Sequence, residues 1–238
     1  ILSHHLKAGE TDEACHIQNK AIEYGALLSI PAAVALIVLA GPIINILFQH
    51  GKFGTFETAM TTSAVIAYAV GLPVYVMVKA LAPNFFARGD TRTPVKYSVV
   101  VLLTNLSFAL LLMKPFGHVG IAAATTIAAF VSFAQYYRGL RKRGYWEFPR
   151  FLMIKTFKIF ICSLFMGGML ELGEFLLNCH YGNWLNLSLW QKLPIFGLLC
   201  ILGVASFAIT AKLTGVLDIN DILKLLSRRG KKNAESKS

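Results

Sequence analysis

Long apolar stretches without charged residues are the feature that most constrains this chain. A helix that crosses about 30 Å of hydrocarbon needs roughly 20 apolar residues. Strands of a membrane barrel would be about ten residues long with strict alternation, and the sequence lacks that pattern. Backbone in lipid must satisfy its own hydrogen bonds, which leaves helices. We therefore predict an all-α, polytopic membrane bundle of six transmembrane helices, named A to F: 25–48, 58–78, 97–113, 115–137, 151–177 and 193–211.

The basic residues predict how these helices are oriented. Of the 23 Lys and Arg residues, 20 lie before A, between B and C, between D and E or in the first turns of E, or after F, and the other three are Lys52, Lys114 and Lys192. By the positive-inside rule, both ends of the chain are predicted to be cytoplasmic. The net charge of +11 is then mainly a topology signal. Because the basic residues lack interleaved stacking aromatics, a nucleic-acid partner is not expected.

Composition and motifs argue against a soluble enzyme. Charged residues make up 15% of the chain, against about 25% in soluble domains. The sequence has no phosphate-binding Gly-rich loop, no G-x-S-x-G and no H-E-x-x-H, so no catalytic residues or cofactor are predicted. The spacing of His4, His5, Cys15 and His16 fits no zinc pattern, so no metal site is predicted either.

The segments outside the spans are polar. Residues 1–24 form a predicted cytoplasmic lead-in, and the chain opens on Ile1 without Met, which reads as a piece of a longer protein with further helices upstream. Residues 214–238 form a predicted amphipathic and basic cytoplasmic tail, and a short helix on the inner leaflet is expected there. Its apolar stripe consists of Ile219, Ile222, Leu223 and Leu226.

Three of the predicted spans contain residues that are unusual in lipid. Gly71 and Pro73 lie inside span B, where proline removes a backbone donor, and they form either a hinge or a passive kink. Asn105 in span C and Thr125 in span D need polar partners. They either form interhelical hydrogen bonds or contact a substrate or ion. Small residues every fourth position in span D predict close helix packing: Gly120, Ala124, Ala128 and Ser132.

The loop between B and C carries the densest polar signal. Gly89 permits a left-handed turn, and Thr93, before Pro94, is expected to be extended. Arg88 and Asp90 are expected to pair and fix the loop, which leaves anion contact open. Four cations in the run 138–143 predict an anchor at anionic headgroups.

This loop and three other segments carry a family resemblance. Residues 86–95 read aromatic-Ala-Arg-x-Asp-Thr-basic-Thr-Pro-Val, and 47–53 read Leu-Phe-x-x-Gly-x-Phe. Residues 117–125 form a Gly-rich helix start, and Leu2-Ser3 is similar to the end of a Pro-x-Leu-Ser segment. In this order, the segments resemble the bacterial lipid II flippase family, MurJ or MviN. The resemblance covers residues 1 to about 145.

The resemblance implies a function and a parent architecture. The chain would be the C-terminal part of a fourteen-helix, MOP-type flippase of the bacterial inner membrane. Residues 25–145 would complete its second lobe, and 146–213 would add two helices beside a groove for the lipid tail. Such a protein moves the lipid-linked peptidoglycan precursor to the outer leaflet by alternating access, for cell-wall synthesis. The implied partners are this precursor, membrane lipids and the missing N-terminal helices.

Candidate substrate or gating residues follow from the loop and the polar span positions: Lys79, Arg88, Asp90, Arg92, Thr93, Pro94, Asn105 and Thr125. Some family members also bind sodium through an Asn, an Asp one turn later and a Thr on the next helix. Asn105 and Thr125 match the first and last, whereas Ala109 stands at the middle position. Because the charged ligand is absent, sodium binding is not expected.

Three other functions remain open from the sequence. A related exporter of polysaccharide-linked lipids or drugs would share the helical pattern. A membrane enzyme acting on lipids would need an interfacial nucleophile or acid, which the sequence does not offer. A scaffold of the cell-wall synthesis complex would use the amphipathic tail as its anchor.

Overall fold

Five long helices make up most of the chain in a computed structural model, which describes residues 11–49, 51, 53–182 and 184–216. Each of the five is long and apolar enough to cross a membrane. The predicted all-α membrane bundle is therefore confirmed. In chain order the helices are α1 (Thr11–Phe48), α2 (Thr55–Leu81), α3 (Pro83–Ala87), α4 (Arg92–Lys142), α5 (Arg150–Tyr181) and α6 (Leu189–Leu213), with a 3-10 turn at Trp184–Asn186 before α6.

Helix α4 is a hairpin of two helical arms. Its 51 residues would extend about 77 Å as one straight helix, more than twice the hydrocarbon thickness. At Gly117 the backbone adopts φ 56° and ψ −134°, and the chain folds back. A Cβ on Gly120 would overlap the carbonyl of Leu112 in the facing arm. The arms 92–116 and 118–142 correspond to predicted spans C and D, which the structure joins without a separate loop.

Helix α1 begins well before predicted span A. Residues from Thr11 onward are helical, so much of the predicted polar lead-in continues the membrane helix. Gln18 and Ile22 are buried there, and the Gln18 amide donates a hydrogen bond of 2.8 Å to the Ala80 carbonyl. The first ten residues, and the tail from residue 217 onward with its predicted amphipathic stripe, lie outside the described residues.

The helices pack in a continuous series. Helix α2 packs between α1 and α4, and α1 also contacts α5 and α6, which pair with each other. Of the predicted small-residue stripe, Gly120, Ala124 and Ala128 are buried. The hydroxyl of Thr126 donates a hydrogen bond of 2.6 Å to the Ala67 carbonyl of α2. Small residues therefore bring α2 close to the second arm of α4.

Most of the basic residues within the described ranges gather at one end of the bundle. This basic end carries the loops 82–91 and 143–149, where the chain leaves α2 and α4. Two lysines in the first turns of predicted span E have partners nearby. The Lys155 ammonium lies 2.5 Å from a Glu23 carboxylate oxygen on α1, and the Lys158 ammonium donates to the Thr214 carbonyl at 3.3 Å. These contacts join α5 to its neighbours at the basic end.

Candidate functional site

The predicted candidates separate into two groups at different depths. The first group, called the loop cluster, lies at the basic end and comprises Phe85, Arg88, Asp90, Thr93, Arg143 and Tyr145. The second, called the polar pocket, lies between α2 and the two arms of α4. It is lined by Tyr75, Val78, Lys79, Val101, Asn105, Thr125, Ala128, Ala129 and Ser132.

A short helix and a left-handed glycine shape the loop. Pro83 stands in the first turn of α3, where its missing N–H leaves no hydrogen bond unmade. Gly89 has φ 75°, so the predicted left-handed turn is confirmed. The Asp90 N–H then donates to the Phe85 carbonyl at 3.0 Å. The loop therefore closes on itself and presents the Asp90 side chain to the start of α4.

Asp90 is the centre of the loop cluster. Its carboxylate accepts a hydrogen bond of 3.0 Å from the backbone N–H of Thr93 and forms an ion pair with Arg143. Arg143 also donates to the Thr93 hydroxyl at 2.7 Å. These contacts, first that of Arg143 and then those of Thr93, hold the pKa of the Asp90 carboxyl well below its usual range. The same bond to Asp90 raises the pKa of Arg143.

Two predictions about this loop were wrong. Thr93 is not extended: α4 begins at Arg92, and Pro94 lies buried in its first turn. A proline is tolerated there because the early N–H groups of a helix have no intrahelical partner. Arg88 does not pair with Asp90. Its guanidinium lies 4.0 Å from the ring centroid of Tyr145, and its Nη1 is 3.5 Å from the Oδ1 of Asn84.

Arg143 and Tyr145 were missed as members of the site. The sequence assigned Arg143 to a run of headgroup anchors, whereas its guanidinium pairs with Asp90 and lies 5.3 Å from the ring centroid of Phe85. A lone acidic residue in a basic loop signals that an ion pair exists, but it does not identify the cation. By contrast, Arg92 has no hydrogen-bond or ion-pair partner within the described part of the chain.

Aromatic rings of the loop and of α4 pack together beside the loop cluster. The Phe85, Tyr97 and Tyr136 rings are mutually edge-on, with centroids 5.2 to 6.0 Å apart. Tyr97 and Tyr136 lie on opposite arms of α4. The Trp146 indole N–H donates to the Asn19 side chain of α1 at 2.7 Å. The cluster therefore connects both loops of the basic end to the helices beneath them.

The polar pocket is a cavity of about 330 Å³. The Tyr75 hydroxyl of α2 donates to the Thr125 carbonyl at 3.0 Å, which holds one wall in place. Lys79, in the last turn of α2, and Asn105, on the first arm, line the same cavity. The structure thus brings Lys79, Asn105 and Thr125 together. None of the described residues that line the pocket carries a carboxylate, and the positive charge of Lys79 opposes a bound cation.

Helix α2 beside the pocket contains the predicted hinge residues. A Cβ on Gly71 would lie 2.9 Å from the Thr126 hydroxyl oxygen, so glycine permits the close approach of α2 to α4. Pro73 is accommodated within the helix. This packing gives Gly71 a structural role, and a hinge at these positions stays a prediction.

Comparisons with known proteins agree with one another. A family model described as lipid II flippase MurJ matches residues 1–189. A probable lipid II flippase MurJ of Rhizobium tropici is 33% identical over 230 residues, which are 96% of this chain and 42% of that protein. That of Rickettsia prowazekii (strain Madrid E) is 34% identical over 219 residues, 92% of this chain and 42% of that protein.

A solved structure agrees on the fold. It is a lipid II flippase MurJ in an inward closed conformation, with a TM-score of 0.72 at 24% sequence identity. The match covers 90% of this chain and 41% of that one. The chain therefore spans about two-fifths of the length of the proteins it matches.

Proposed function

The chain belongs to the lipid II flippase MurJ family, and on that basis we propose that it forms the C-terminal portion of a flippase for a lipid-linked peptidoglycan precursor. The family match along residues 1–189 carries this proposal. Family membership and the five apolar helices together make the chain part of a multi-pass bacterial inner-membrane protein. The precursor would move from the inner to the outer leaflet by alternating access.

The physical problem for such a protein is the charged headgroup. Moving an isolated ion into hydrocarbon costs tens of kcal/mol by Born estimates, so a diphosphate-sugar group needs a polar route. The lipid tail can remain in the bilayer while the headgroup moves. A bundle with polar side chains between its helices and apolar residues on its outer surface provides a polar route for the headgroup and leaves the tail in lipid.

We assign the loop cluster to the cytoplasmic entrance of this route. The excess of basic residues at this end favours the cytoplasmic side. With Asp90 neutralising Arg143 and Arg88 lying on Tyr145, the neighbouring Arg92 remains available to an approaching anionic headgroup. The cluster would then act as a positioning element, because it fixes the start of α4 relative to the loop that follows it.

The α5–α6 pair would hold the lipid tail. An apolar cavity of about 260 Å³ lies between these helices, away from the loop cluster. Gly173 opens space there, since a Cβ at this position would lie 2.9 Å from the side chain of Leu199. An isoprenoid tail matches such a surface because it needs only apolar contacts.

Lipid II exposure in cells tests the proposal. A gene whose product contains this chain as its C-terminal portion is expressed in bacteria depleted of their own flippase, and lipid II reaching the outer leaflet is labelled with a membrane-impermeant reagent. We expect labelling to be restored, and the Lys96→Gln variant, which changes an exposed lysine outside both polar regions, to behave as the parent. Membrane-inserted protein that restores no labelling would contradict the proposal.

A further inference from the structure

Three side chains of the polar pocket lack partners. Lys79, Asn105 and Ser132 line the cavity, and none of their side chains has a hydrogen-bond or ion-pair partner in the ranges that the structure describes. The other two polar residues of the lining are engaged. Tyr75 donates to the Thr125 carbonyl, and the Thr125 hydroxyl donates to the Ile121 carbonyl at 3.0 Å.

The unpartnered groups are mainly hydrogen-bond donors. An ammonium offers three N–H groups, an amide two and a hydroxyl one, whereas the amide and hydroxyl oxygens are the only acceptors among them. An apolar ligand would displace water from the half-buried Asn105 and Ser132 side chains without replacing its hydrogen bonds, which is unfavourable. A metal cation would face the positive charge of Lys79 without a carboxylate to offset it. An anion with several acceptor oxygens satisfies all three groups.

The size and walls of the pocket also suit such an anion. Its volume of about 330 Å³ is at the lower end of the range for small-molecule pockets, roughly 300 to 1,000 Å³. Val78, Val101, Ala128 and Ala129 form apolar walls, which lower the local dielectric constant and strengthen charge interactions. Lys79 lies in the last turn of α2, so the charged part of the pocket is towards the basic end.

We propose that the polar pocket binds a phosphate-type oxyanion, with Lys79 supplying the charge and Asn105 and Ser132 the hydrogen bonds. Tyr75 is a positioning residue, because it holds the Thr125 wall through a backbone carbonyl. The oxyanion comes either from a lipid-linked diphosphate or from free phosphate compounds. Assignment to the lipid-linked diphosphate rests on the function proposed above, whereas binding of a phosphate group does not.

Calorimetric titration of the purified full chain with inorganic pyrophosphate tests the site. We expect Lys79→Gln to weaken binding about tenfold or more, because a charge-assisted contact is lost. Asn105→Ala and Ser132→Ala should each weaken it about threefold, as for neutral hydrogen bonds. Lys79→Arg keeps the charge and should retain most of the affinity. Lys96→Gln, an exposed lysine outside the pocket, is the matched control and should leave binding unchanged.

A second titration identifies the source of the oxyanion. Vesicles containing a polyprenyl diphosphate are compared with vesicles containing the corresponding polyprenol. Binding of either phosphate probe with the expected dependence on Lys79, Asn105 and Ser132 supports the proposal, and a preference for the lipid probe identifies a lipid-linked diphosphate. A folded parent chain that binds neither probe, or binding equally strong in Lys79→Gln, Asn105→Ala and Ser132→Ala, overturns it.

The outcome is separable from that of the flippase proposal. Circular dichroism and gel filtration establish whether each variant is folded. If Lys79→Gln does not fold, the test still rests on Ser132→Ala and Lys79→Arg. Pyrophosphate binding that depends on Lys79, in a protein that restores no lipid II labelling, would support the pocket and contradict the flippase. Restored lipid II labelling, together with pyrophosphate binding that does not depend on Lys79, would support the flippase and contradict the pocket.

Discussion

The loop cluster and the polar pocket differ in how their polar groups are satisfied. In the cluster, Asp90 is bonded to Arg143 and to the Thr93 backbone, and Arg88 lies on Tyr145. In the pocket, Lys79 and the facing amide and hydroxyl groups have no partner within the described ranges. A satisfied cluster fixes the relative positions of the elements it joins. An unsatisfied set of groups in a membrane bundle is maintained at a cost, which a ligand or water offsets.

Exposure separates the cluster from ordinary surface ion pairs. The neighbouring Arg141–Glu147 pair is 3.1 Å long, and its side chains are 62% and 68% exposed. In the cluster, Arg143 and Asp90 are 36% and 24% exposed, and Asp90 also bonds to the start of a helix. Exposed pairs contribute little to stability, whereas networks that include a helix terminus contribute more. The two pairs therefore form an internal comparison for mutagenesis.

Forcing the arms of α4 apart should disrupt the loop cluster and the polar pocket together, because each of them contains residues from both arms. In Gly120→Leu, the new side chain would overlap the backbone carbonyl of Leu112, which cannot move independently of its helix. Overpacking typically costs about 1 to 3 kcal/mol, and contact with backbone lies at the upper end of this range. We expect most of the monodisperse protein to be lost in gel filtration.

Gly168→Leu is the matched control for this change, because a Cβ on Gly168 meets no heavy atom within 4 Å. Its gel-filtration yield should equal that of the parent. A normal yield of Gly120→Leu, together with intact binding of pyrophosphate, would show that the hairpin is not packed as described.

Removing the charge of Asp90 should affect the cluster and spare the pocket. Asp90→Asn can still accept the Thr93 N–H bond but loses the ion pair with Arg143. We expect amide exchange in residues 88–93 to become about tenfold faster, since a charge-assisted contact restrains this loop. Pyrophosphate affinity should stay unchanged. In the control Arg141→Gln, the exposed pair is broken and exchange should stay near the parent rate; an equal effect of both variants would remove the distinction between them.

The interactions of Asp90 in the loop cluster should be lost at a lower pH than the one at which a free carboxylate is protonated. The pKa of Asp90 lies below its usual range in the folded protein, so its stabilising effect is fully present above the unfolded pKa of about 3.9. That effect is lost as the pH falls through the lower pKa of the folded state. Trp146 fluorescence followed from pH 6 to pH 2 should therefore change below pH 4, and Asp90→Asn should lack this change. A midpoint at or above pH 4 in the parent would contradict the pairing.

The sequence predicted the membrane spans well and their ends poorly. Length and hydropathy suffice for the spans because the hydrocarbon thickness sets them. The start of α1 at Thr11 was missed, since the polar turns before residue 25 are stabilised by burial of Gln18 and Ile22 against other helices. Such a helical extension leaves no apolar block in the sequence. Tertiary contacts determine it.

The site shows the same division between local and distant information. The left-handed turn at Gly89 was predictable because it depends on one residue. The partner of Asp90 was not, since Arg143 is 53 residues away and two arginines of the same charge lie within two residues of Asp90. The selection of Arg143 follows from the hairpin at Gly117, which returns the chain to the basic end.

The smallest expected effect concerns the wall of the pocket. Tyr75→Phe removes only the hydroxyl that donates to the Thr125 carbonyl at 3.0 Å. Interhelical hydrogen bonds in membrane proteins contribute roughly 0.6 kcal/mol on average, so the free energy of unfolding should fall by about that amount. Pyrophosphate affinity should fall less than threefold, because the groups assigned to the oxyanion are intact. Tyr68→Phe is the matched control, since Tyr68 is exposed on the same helix. A tenfold loss of affinity in Tyr75→Phe would instead place the Tyr75 hydroxyl on the ligand and remove the distinction between satisfied and unsatisfied groups on which the pocket proposal depends.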